Sequence, residues 1–267
     1  MTALVIDHLE KTYTDTYTGD EVVAIGDVSF SVSEGEFVSV LGPSGCGKTT
    51  VLNTVAGFVR PTSGTVSVAG RPVTGPGPDR GVVFQNHALF PWKTVLGNAV
   101  FGLRMKGVSR RERTERGREH LALVGLEGFE NRYPHELSGG MRQRLGVARV
   151  LATEPAVMLM DEPFASIDAQ TRRRLQEDLT RIFEARRPTV FFVTHDIDEA
   201  VFLSDRIVVL SGRPSTVREI VTVDLPRPRT WDTAVDHPGF RATVAHVNGL
   251  LAEGERENGP GDAADVE

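Results

Sequence analysis

The sequence predicts an α/β fold whose strands are interrupted by an inserted group of helices. Two runs, VMLM at 157–160 and VFFV at 190–193, are apolar without alternation, which is typical of central parallel strands covered on both faces. Between GVVFQ at 81–85 and VMLM, helical periodicity replaces the strand-like pattern. These observations together indicate strands before and after one helical insertion.

The individual elements can be placed in chain order. Strand-like runs rich in valine and phenylalanine occur as VVAIGDVSFSV, EFVSVL, TVSVAG, GVVFQ, VMLMDEP, TVFFVTH and RIVVLSG. In the insertion, Thr94 is placed to cap the helix VLGNAVFGLRMK, which Gly107 ends, and SRRE from Ser109 matches a capping box. PVTGPGPDR predicts a loop, and HPGFRATVAHVNGLLAEGER predicts one amphipathic helix after a proline-rich linker.

Size and composition indicate a globular chain of a reducing compartment. Its 267 residues, 40% hydrophobic and 25% charged, are enough to bury a substantial core. The only cysteine is Cys46, so a disulfide within the chain is impossible and the cytosol is the expected location. The N-terminus lacks the pattern of a secretory leader, and no run approaches the ~18 apolar residues of a membrane span. We expect a chain that is neither secreted nor membrane-spanning.

The charge distribution argues against nucleic acid as a partner. The formal net charge is -6, and residues 251–267 hold six acidic residues and one arginine, which predicts a disordered acidic end. Residues 104–118 hold seven basic and two acidic residues without interleaved aromatic residues. That pattern favours a solvated helix face over a nucleic-acid patch.

Residues 42–50, GPSGCGKTT, form the strongest local motif. They satisfy G-x-x-x-x-G-K-[ST], the P-loop pattern, with a strand before and a helix after, which makes a chance glycine-rich turn a weak alternative. Glycines let backbone N–H groups surround phosphate oxygens, Lys48 meets the β and γ phosphates, and the Thr49 hydroxyl ligates Mg²⁺. The predicted nucleotide-binding residues in this loop are Gly42, Pro43, Ser44, Gly45, Cys46, Gly47, Lys48, Thr49 and Thr50.

A second element of the site follows the apolar strand VMLM. Asp161 at the end of this strand is placed to hold Mg²⁺, directly or through water. The adjacent Glu162 has a structural alternative as a strand-end charge, but a carboxylate there can polarise the attacking water as a general base. We favour the general base.

LSGGMRQR at 137–144 points to a particular family. A Ser-Gly-Gly at the start of a helix is another anion cradle, and one chain that binds one nucleotide does not obviously need two. Together with the P-loop and DEP, this stretch resembles the signature of ATP-binding-cassette (ABC) ATPases. The resemblance implies a P-loop NTPase (RecA-like) core with an antiparallel β subdomain and an inserted α-helical subdomain. It also implies a head-to-tail homodimer with two ATP molecules between subunits, in which the partner's nucleotide is met by Ser138, Gly139, Gly140 and Met141.

Four further residues resemble markers of this family. Tyr13 resembles the aromatic residue that stacks on adenine, although it could be a core aromatic on a strand, and Tyr17 is nearby. Gln85, taken to end a strand, resembles the glutamine that senses Mg²⁺ and links the site to the insertion. Asp168 resembles the aspartate that contacts the opposite subunit and could equally be a helix N-cap, while His195 resembles the switch histidine that touches the γ-phosphate. The implied catalytic residues are Lys48, Gln85, Glu162 and His195, and the implied metal ligands are Thr49, Gln85 and Asp161.

The sequence departs from the usual family pattern in two places. Met141 stands where glutamine is commoner, and the segment after DEP reads ASID where SALD or GALD is usual. Neither change removes a phosphate contact, so we expect activity. Cys46 occupies a variable position of the P-loop, and the alternative to a passive role is a redox sensor, because a thiol adduct would block the cradle.

Longer stretches resemble one branch of the family. GPGPDRGVVFQNHALFPWKTVLGNAVFGL, RYPHELSGGMRQR and VTHDIDEAVFLSDRIVVLSGRP are similar to importer subunits for nitrate, aliphatic sulfonates and taurine, with taurine closest. The resemblance implies two membrane permease subunits, an external solute-binding protein and a peripheral position on the cytoplasmic face of the membrane. Phe90 and Trp92 would then contact a permease, unless they pack within the insertion.

Two alternatives belong to other functional classes. Soluble cassette ATPases that act on nucleic acid or ribosomes use the same site, but they usually carry a long coiled coil or a second cassette, and this sequence has neither. A regulatory nucleotide-binding module without turnover is disfavoured because Glu162 and His195 are both present.

The predicted domain organisation has three parts. Residues 1–230 form the ATPase domain, in which 1–92 and 157–230 make the core and 93–156 the helical subdomain. Residues 231–256 form a C-terminal helical extension, and 257–267 an acidic tail.

Overall fold

A computed structural model describes residues 1–86 and 88–257, with side chains described as far as residue 254. His87, in the NHALFPW stretch, and the acidic tail from 258 onward lie outside the described residues. The strands are β1 (Thr2–Thr14), β2 (Glu21–Ser33), β3 (Phe37–Leu41), β4 (Ser63–Val68), β5 (Arg71–Pro72), β6 (Arg80–Val83), β7 (Val157–Asp161), β8 (Val190–Val193), β9 (Arg206–Leu210) and β10 (Ser215–Thr222). The helices are α1 (Lys48–Ala56), α2 (Val95–Ala99), α3 (Phe101–Met105), α4 (Arg110–Leu123), α5 (Gly139–Leu151), α6 (Ala169–Arg186), α7 (Ile197–Leu203), α8 (Trp231–Asp236) and α9 (Pro238–Glu257), with a 3-10 turn at Pro134–Glu136.

The described strands form one mixed sheet in the order β5-β4-β1-β2-β10-β9-β3-β8-β7-β6. Strands β9, β3, β8, β7 and β6 pair in parallel, whereas β5, β4, β1 and β2 pair antiparallel. Strand β10 joins the two halves, since it is antiparallel to β9 and parallel to β2. The predicted α/β fold with a parallel core, an antiparallel part and inserted helices is confirmed.

The central strands are covered on both faces, as their apolar runs predict. Along β7, Val157 and Leu159 belong to one hydrophobic cluster, and Met158 and Met160 belong to the other. Each of these side chains is at most 1% exposed, and full burial of such a side chain contributes about 1.5–3 kcal/mol. The parallel strands are therefore firmly held, and their carboxyl ends form a stable edge for a site.

The prediction of one continuous helix at the start of the insertion is wrong, because the structure has two helices there. α2 ends and α3 begins on either side of Val100, whose φ of -91° and ψ of 0° lie outside the helical region. Thr94 caps α2 as predicted, accepting a hydrogen bond from Gly97 N at 3.1 Å. Ser109 likewise caps α4, accepting from Glu112 N at 3.3 Å.

Strands β1, β5 and β10 and the helices α7 and α8 are absent from the sequence prediction. In β1 the alternation of apolar and polar residues is broken at His8, which has a φ of 47°, and the pairing with β2 shifts register there. Strand β10 carries polar residues on both faces, and pairing with β2 and β9 holds it in the sheet. The predicted C-terminal helix is present as α9.

Candidate nucleotide site

The P-loop runs between β3 and α1, at the carboxyl edge of the parallel strands. Gly47, at the N-terminal boundary of α1, has a φ of 102°. Residues other than glycine rarely adopt this backbone conformation. The Lys48 side chain is buried, and its ammonium group donates hydrogen bonds to the carbonyl oxygens of Gly42 at 2.8 Å and Pro43 at 3.0 Å. The loop thus curls around a fixed positive charge, the arrangement that phosphate binding requires.

Cys46 lies inside the loop and not on its surface. It is 1% exposed, and a Cβ built on Gly42 would come within 2.7 Å of its sulfur atom. Burial raises the pKa of the Cys46 thiol, which keeps it protonated and a poor nucleophile. This environment favours a packing role over the redox sensor considered from the sequence.

Thr49 and Asp161 bring two oxygen atoms together between α1 and β7. The Thr49 hydroxyl donates a hydrogen bond of 3.3 Å to Asp161 Oδ1. Burial, together with the nearby Glu162 charge, raises the pKa of Asp161, and the Thr49 hydrogen bond and Lys48 act in the opposite direction. A partly buried carboxylate of this kind is stabilised by a cation.

These two oxygens fit Mg²⁺ better than a metal held by protein groups alone. Within residues 1–86 and 88–257, no group of three or more His, Cys, Asp or Glu side chains could hold a metal ion. Mg²⁺ usually takes one or two protein ligands together with substrate phosphates and water. Thr49 and Asp161 therefore suit a cation that arrives with a nucleotide.

Glu162 and His195 meet at the carboxyl ends of β7 and β8. His195 Nδ1 lies 3.1 Å from Glu162 Oε2, and the backbone N–H of Glu162 donates to Val193 O at 2.9 Å. Glu162 has a φ of 42°, a strained conformation that is commonest at functional sites. Beside the pair is a small cavity of about 30 Å³, enough for a water molecule. Its lining residues are Glu162, Phe164, Ala165, Arg172, Thr194, His195, Asp196 and Glu199.

Gln85 lies at the same edge of the sheet but on a turn. Strand β6 ends at Val83, which is in register with Met160 of β7, so the expectation that Gln85 ends a strand is wrong. Pairing of β6 with β7 places Gln85 near the end of β7, and its side chain is exposed. In the described part of the chain, no hydrogen bond joins Gln85 to Thr49 or Asp161.

Tyr13 is an exposed aromatic residue near the end of β1. It is 42% exposed, and Lys11 Nζ lies 4.9 Å from its ring centroid. The alternative that Tyr13 is a core aromatic is therefore wrong. Tyr17, at 97% exposure, lies on the loop that follows.

The signature residues begin helix α5, away from the P-loop. Ser138 is exposed and caps the helix, accepting from Met141 N at 3.3 Å. Helix α5 packs mainly on the other helices of the insertion, on α6 and on the edge strand β6, whereas α1 packs on strands β2, β4, β6, β7 and β8. Asp168 is exposed and caps α6, accepting from Thr171 N at 3.0 Å, so the N-cap role considered from the sequence is present.

Phe90 and Trp92 have different surroundings. The Phe90 ring lies 4.5 Å from that of Phe101, between centroids, and its backbone is held by Asn98 through hydrogen bonds of 2.8 and 3.1 Å. Trp92 is 71% exposed. Phe90 therefore packs largely within the insertion, and Trp92 presents its ring to the surface.

Two buried polar residues near the site were missed from the sequence. Asn98 is fully buried and binds carbonyl groups on both sides of the PW turn. Glu199 is 4% exposed and binds Thr194, next to His195. A polar residue on the apolar face of a helix is the signal that could have revealed each of them.

Comparisons with known proteins agree with this geometry. A sequence model of the ABC transporter family matches residues 25–165. The chain is 50% identical over 244 residues to an uncharacterized ABC transporter ATP-binding protein, MJ0412, of Methanocaldococcus jannaschii, covering 91% of this chain and 90% of that protein. It is 49% identical over 205 residues to the nitrate import ATP-binding protein NrtD of Synechocystis, covering 77% of each. It is also 44% identical over 254 residues to the bicarbonate transport ATP-binding protein CmpC of Synechococcus elongatus, covering 94% of this chain and 38% of that protein.

Solved structures are similar over most of the chain. A dimeric, post-hydrolysis state of the ATP-binding cassette MJ0796, bound to ADP and phosphate, matches with a TM-score of 0.71 at 32% identity, covering 84% of this chain and 100% of that one. A second dimeric structure of the same cassette matches with a TM-score of 0.72. In the described residues, no helix is long and apolar enough to cross a membrane. The chain belongs to the ABC transporter family and is an ABC-type ATPase.

Proposed function

We propose that this chain powers an importer for a small anion, with nitrate and other small oxyanions as the first candidates and taurine or an aliphatic sulfonate as further ones. The observation that carries the proposal is the 49% identity to a nitrate import subunit over 77% of both chains. A bicarbonate transport subunit of comparable similarity supports a planar oxyanion. The taurine-type likeness of the GPG…RGVVFQN…PW stretch keeps sulfonates among the candidates.

The proposed active unit is a homodimer with two nucleotides at the interface. Each ATP would bind the P-loop, Lys48 and the exposed Tyr13 ring of one chain, and would be completed by Ser138 and its neighbouring N–H groups from the other. The exposure of Ser138 and its position on a helix remote from α1 support this division. The similarity to dimeric cassettes supports it independently.

In the proposed hydrolysis step, Glu162 accepts a proton from the attacking water. The cavity beside Glu162 has room for that water, and the 3.1 Å contact with His195 fixes the direction of the carboxylate. Lys48 would neutralise charge on the phosphates, and His195 would contact the γ-phosphate. Mg²⁺, when bound, would neutralise charge on the phosphates, with Thr49 and Asp161 as its protein ligands and Gln85 near them.

The proposed partners are two membrane permease subunits, with the chain on the cytoplasmic face of the membrane and a solute-binding protein outside. The surface that would meet the permease contains Trp92 and a groove of about 440 Å³ beside Phe101. The groove is lined by Pro78, Arg80, Gly81, Phe101, Gly102, Met105, Lys106, Arg149, Val150 and Thr153. Trp92 is the exposed aromatic residue of this surface, and aromatic and arginine side chains are enriched at interfaces.

The experiment is an ATPase assay on the chain assembled with the permease encoded beside it, in liposomes. Solute-binding protein loaded with nitrate, bicarbonate or taurine is added in separate reactions. We expect one of them to raise turnover several-fold above the unloaded protein. If none does, while DNA or ribosomes stimulate the purified chain in a salt-sensitive manner, the soluble alternative is favoured and the importer proposal is rejected.

A further inference from the structure

Glu199 is a buried carboxyl group that the proposed hydrolysis step does not use. It lies on α7, four residues after His195, and is 4% exposed. Its Oε1 accepts a hydrogen bond of 2.7 Å from Gln176 Nε2, and its Oε2 binds the hydroxyl group of Thr194. Burying a carboxyl group is costly unless it is well hydrogen-bonded. The side chains of Gln176 and Thr194 therefore both stabilise Glu199, next to the loop that carries His195.

This carboxyl group is the centre of a buried chain of hydrogen bonds. Gln176, on α6, accepts from the indole N–H of Trp231 at 3.1 Å. At the other end, Thr194 Oγ1 accepts from the backbone N–H of Asp196 at 3.1 Å. The residues on either side of His195 are thus tied to one another and, through Glu199 and Gln176, to Trp231.

The segment around Trp231 also holds the far end of α7. The Trp231 ring stacks on Phe202, with 4.2 Å between ring centroids and 10° between ring planes. Arg229 is buried and donates to the carbonyl oxygens of Phe202 at 2.9 Å and Ser204 at 2.8 Å. The segment after β10 therefore contacts the C-terminal end of α7 directly, in addition to the hydrogen bonds that reach Glu199.

The imidazole of His195 depends on this support. Its side chain is 64% exposed and contacts Glu162, so the position of its backbone strongly influences where the ring lies. An error of about 1 Å in a catalytic group can cost about 100-fold in rate. The contact with Glu162 at 3.1 Å leaves little room for such an error.

We propose that Glu199 is a positioning residue for ATP hydrolysis, and that Trp231 at the start of the C-terminal extension supports it through Gln176. The extension would then be part of the hydrolysis machinery and not only a packing element. This inference rests on the roles proposed above for Glu162 and His195. It assigns Glu199 and Trp231 no contact with the nucleotide.

The test compares four variants of the full-length chain by kcat, KM for ATP and Tm. Glu199→Ala removes both hydrogen bonds. Glu199→Gln keeps an oxygen that accepts from Gln176, and its amide N–H group can donate to Thr194 Oγ1 in place of the bond that Glu199 accepts. Trp231→Phe keeps a ring on Phe202 but deletes the indole N–H. Val247→Ala is the matched control, because Val247 is fully buried on α9 and lies outside the hydrogen-bond chain.

We expect kcat to fall about 10- to 100-fold in Glu199→Ala and about 3- to 10-fold in Trp231→Phe. KM should change by less than about twofold, because the nucleotide contacts are intact. Glu199→Gln should restore kcat to within about threefold of the parent. Val247→Ala should lower Tm and leave kcat unchanged.

Two results would overturn the proposal. One is a kcat in Trp231→Phe equal to that of the parent. This result would reject the proposal even if Glu199→Ala does not fold. The other is a loss of kcat in Val247→Ala equal to that in Trp231→Phe, which would mean that general destabilisation is the cause. His195→Ala and Glu162→Gln are measured in parallel. If they lose turnover while Trp231→Phe does not, only this inference fails; if they retain turnover, the proposed catalytic roles fail with it.

Discussion

The P-loop region and the signature region both lie at a helix N-terminus, yet their surroundings differ. Around the P-loop, Lys48 is buried by its own loop, Thr49 contacts Asp161, and Glu162 contacts His195. At the signature, Ser138 is exposed and its hydroxyl group serves only its own helix in the described contacts. The first region is organised within one chain, and the second presents its binding groups outward. This difference supports the proposal that two chains complete each nucleotide site.

The largest effect is expected from removing the base in the organised region. Glu162→Gln should lower turnover by a factor of ~10²–10⁴ while ATP binding remains, because the amide cannot accept the proton of water. Turnover is measured with the permease partner present, and affinity with a fluorescent nucleotide. Glu154→Gln is the matched control, since Glu154 is also an acid at positive φ but is paired with Arg116 at the surface. Near-normal turnover in Glu162→Gln would reject the assignment.

Lys48→Ala should affect the same region differently. Loss of a charge-assisted phosphate contact weakens nucleotide binding itself, by about 1.5–3 kcal/mol. Equilibrium titration of the purified variant measures this change. Unaltered affinity would mean that the loop backbone alone holds the phosphates.

The comparison between the P-loop region and the signature region is tested most directly with heterodimers. Lys48→Ala and Ser138→Arg placed on the same chain should damage both composite sites, and placing them on opposite chains should damage one site and leave the other whole. Trapping of nucleotide by tagged, purified heterodimers is the measurement, because turnover can require both sites. Retention of trapping by the same-chain arrangement alone would show that each chain completes its own site.

The free energy of unfolding should also depend on pH, because Glu199 is buried near His195. Burial raises the pKa of Glu199 from 4.5 to about 7, although the hydrogen bonds from Thr194 and Gln176 act in the opposite direction. Between these values the folded state holds a proton that the unfolded state has lost, so stability falls as pH rises. Relative to Glu199→Gln, the parent should lose about 3 kcal/mol between pH 4.5 and 7 and then level off. Denaturant melts at several pH values measure the difference, and a constant difference would contradict the raised pKa.

The smallest effect is expected on the outward surface of the insertion. Trp92→Ala should leave nucleotide binding and Tm unchanged and weaken permease association by ~2 kcal/mol, because an exposed aromatic contributes only when a partner covers it. Pull-down with the permease measures association, and Phe90→Ala is the comparison, since the packed Phe90 ring should affect Tm. Normal assembly of Trp92→Ala would remove Trp92 from the interface.

The amino-acid sequence by itself determined the parallel core, the insertion and the phosphate cradle. Each depends on consecutive residues: apolar runs that must be covered on both faces, helix caps at Thr94 and Ser109, and glycines that let the backbone curl around an anion. Because parallel strands end at one edge of the sheet, the position of Asp161 and Glu162 near His195 could also be expected. Strands β1 and β10 could not, because their polar residues are held by pairing with neighbouring strands and not by a local pattern.

The hydrogen bonds that join Glu199 to the C-terminal segment depended on tertiary structure alone. Gln176, Glu199 and Trp231 lie on three different helices, and no spacing in the sequence relates them. Packing of α6, α7 and α8 brings their polar atoms together, and burial makes each hydrogen bond necessary, since an unpaired polar group in that environment would be costly. Local sequence patterns predict the conformation of the backbone. Hydrogen bonds between side chains on different helices form only when the tertiary structure packs those helices together.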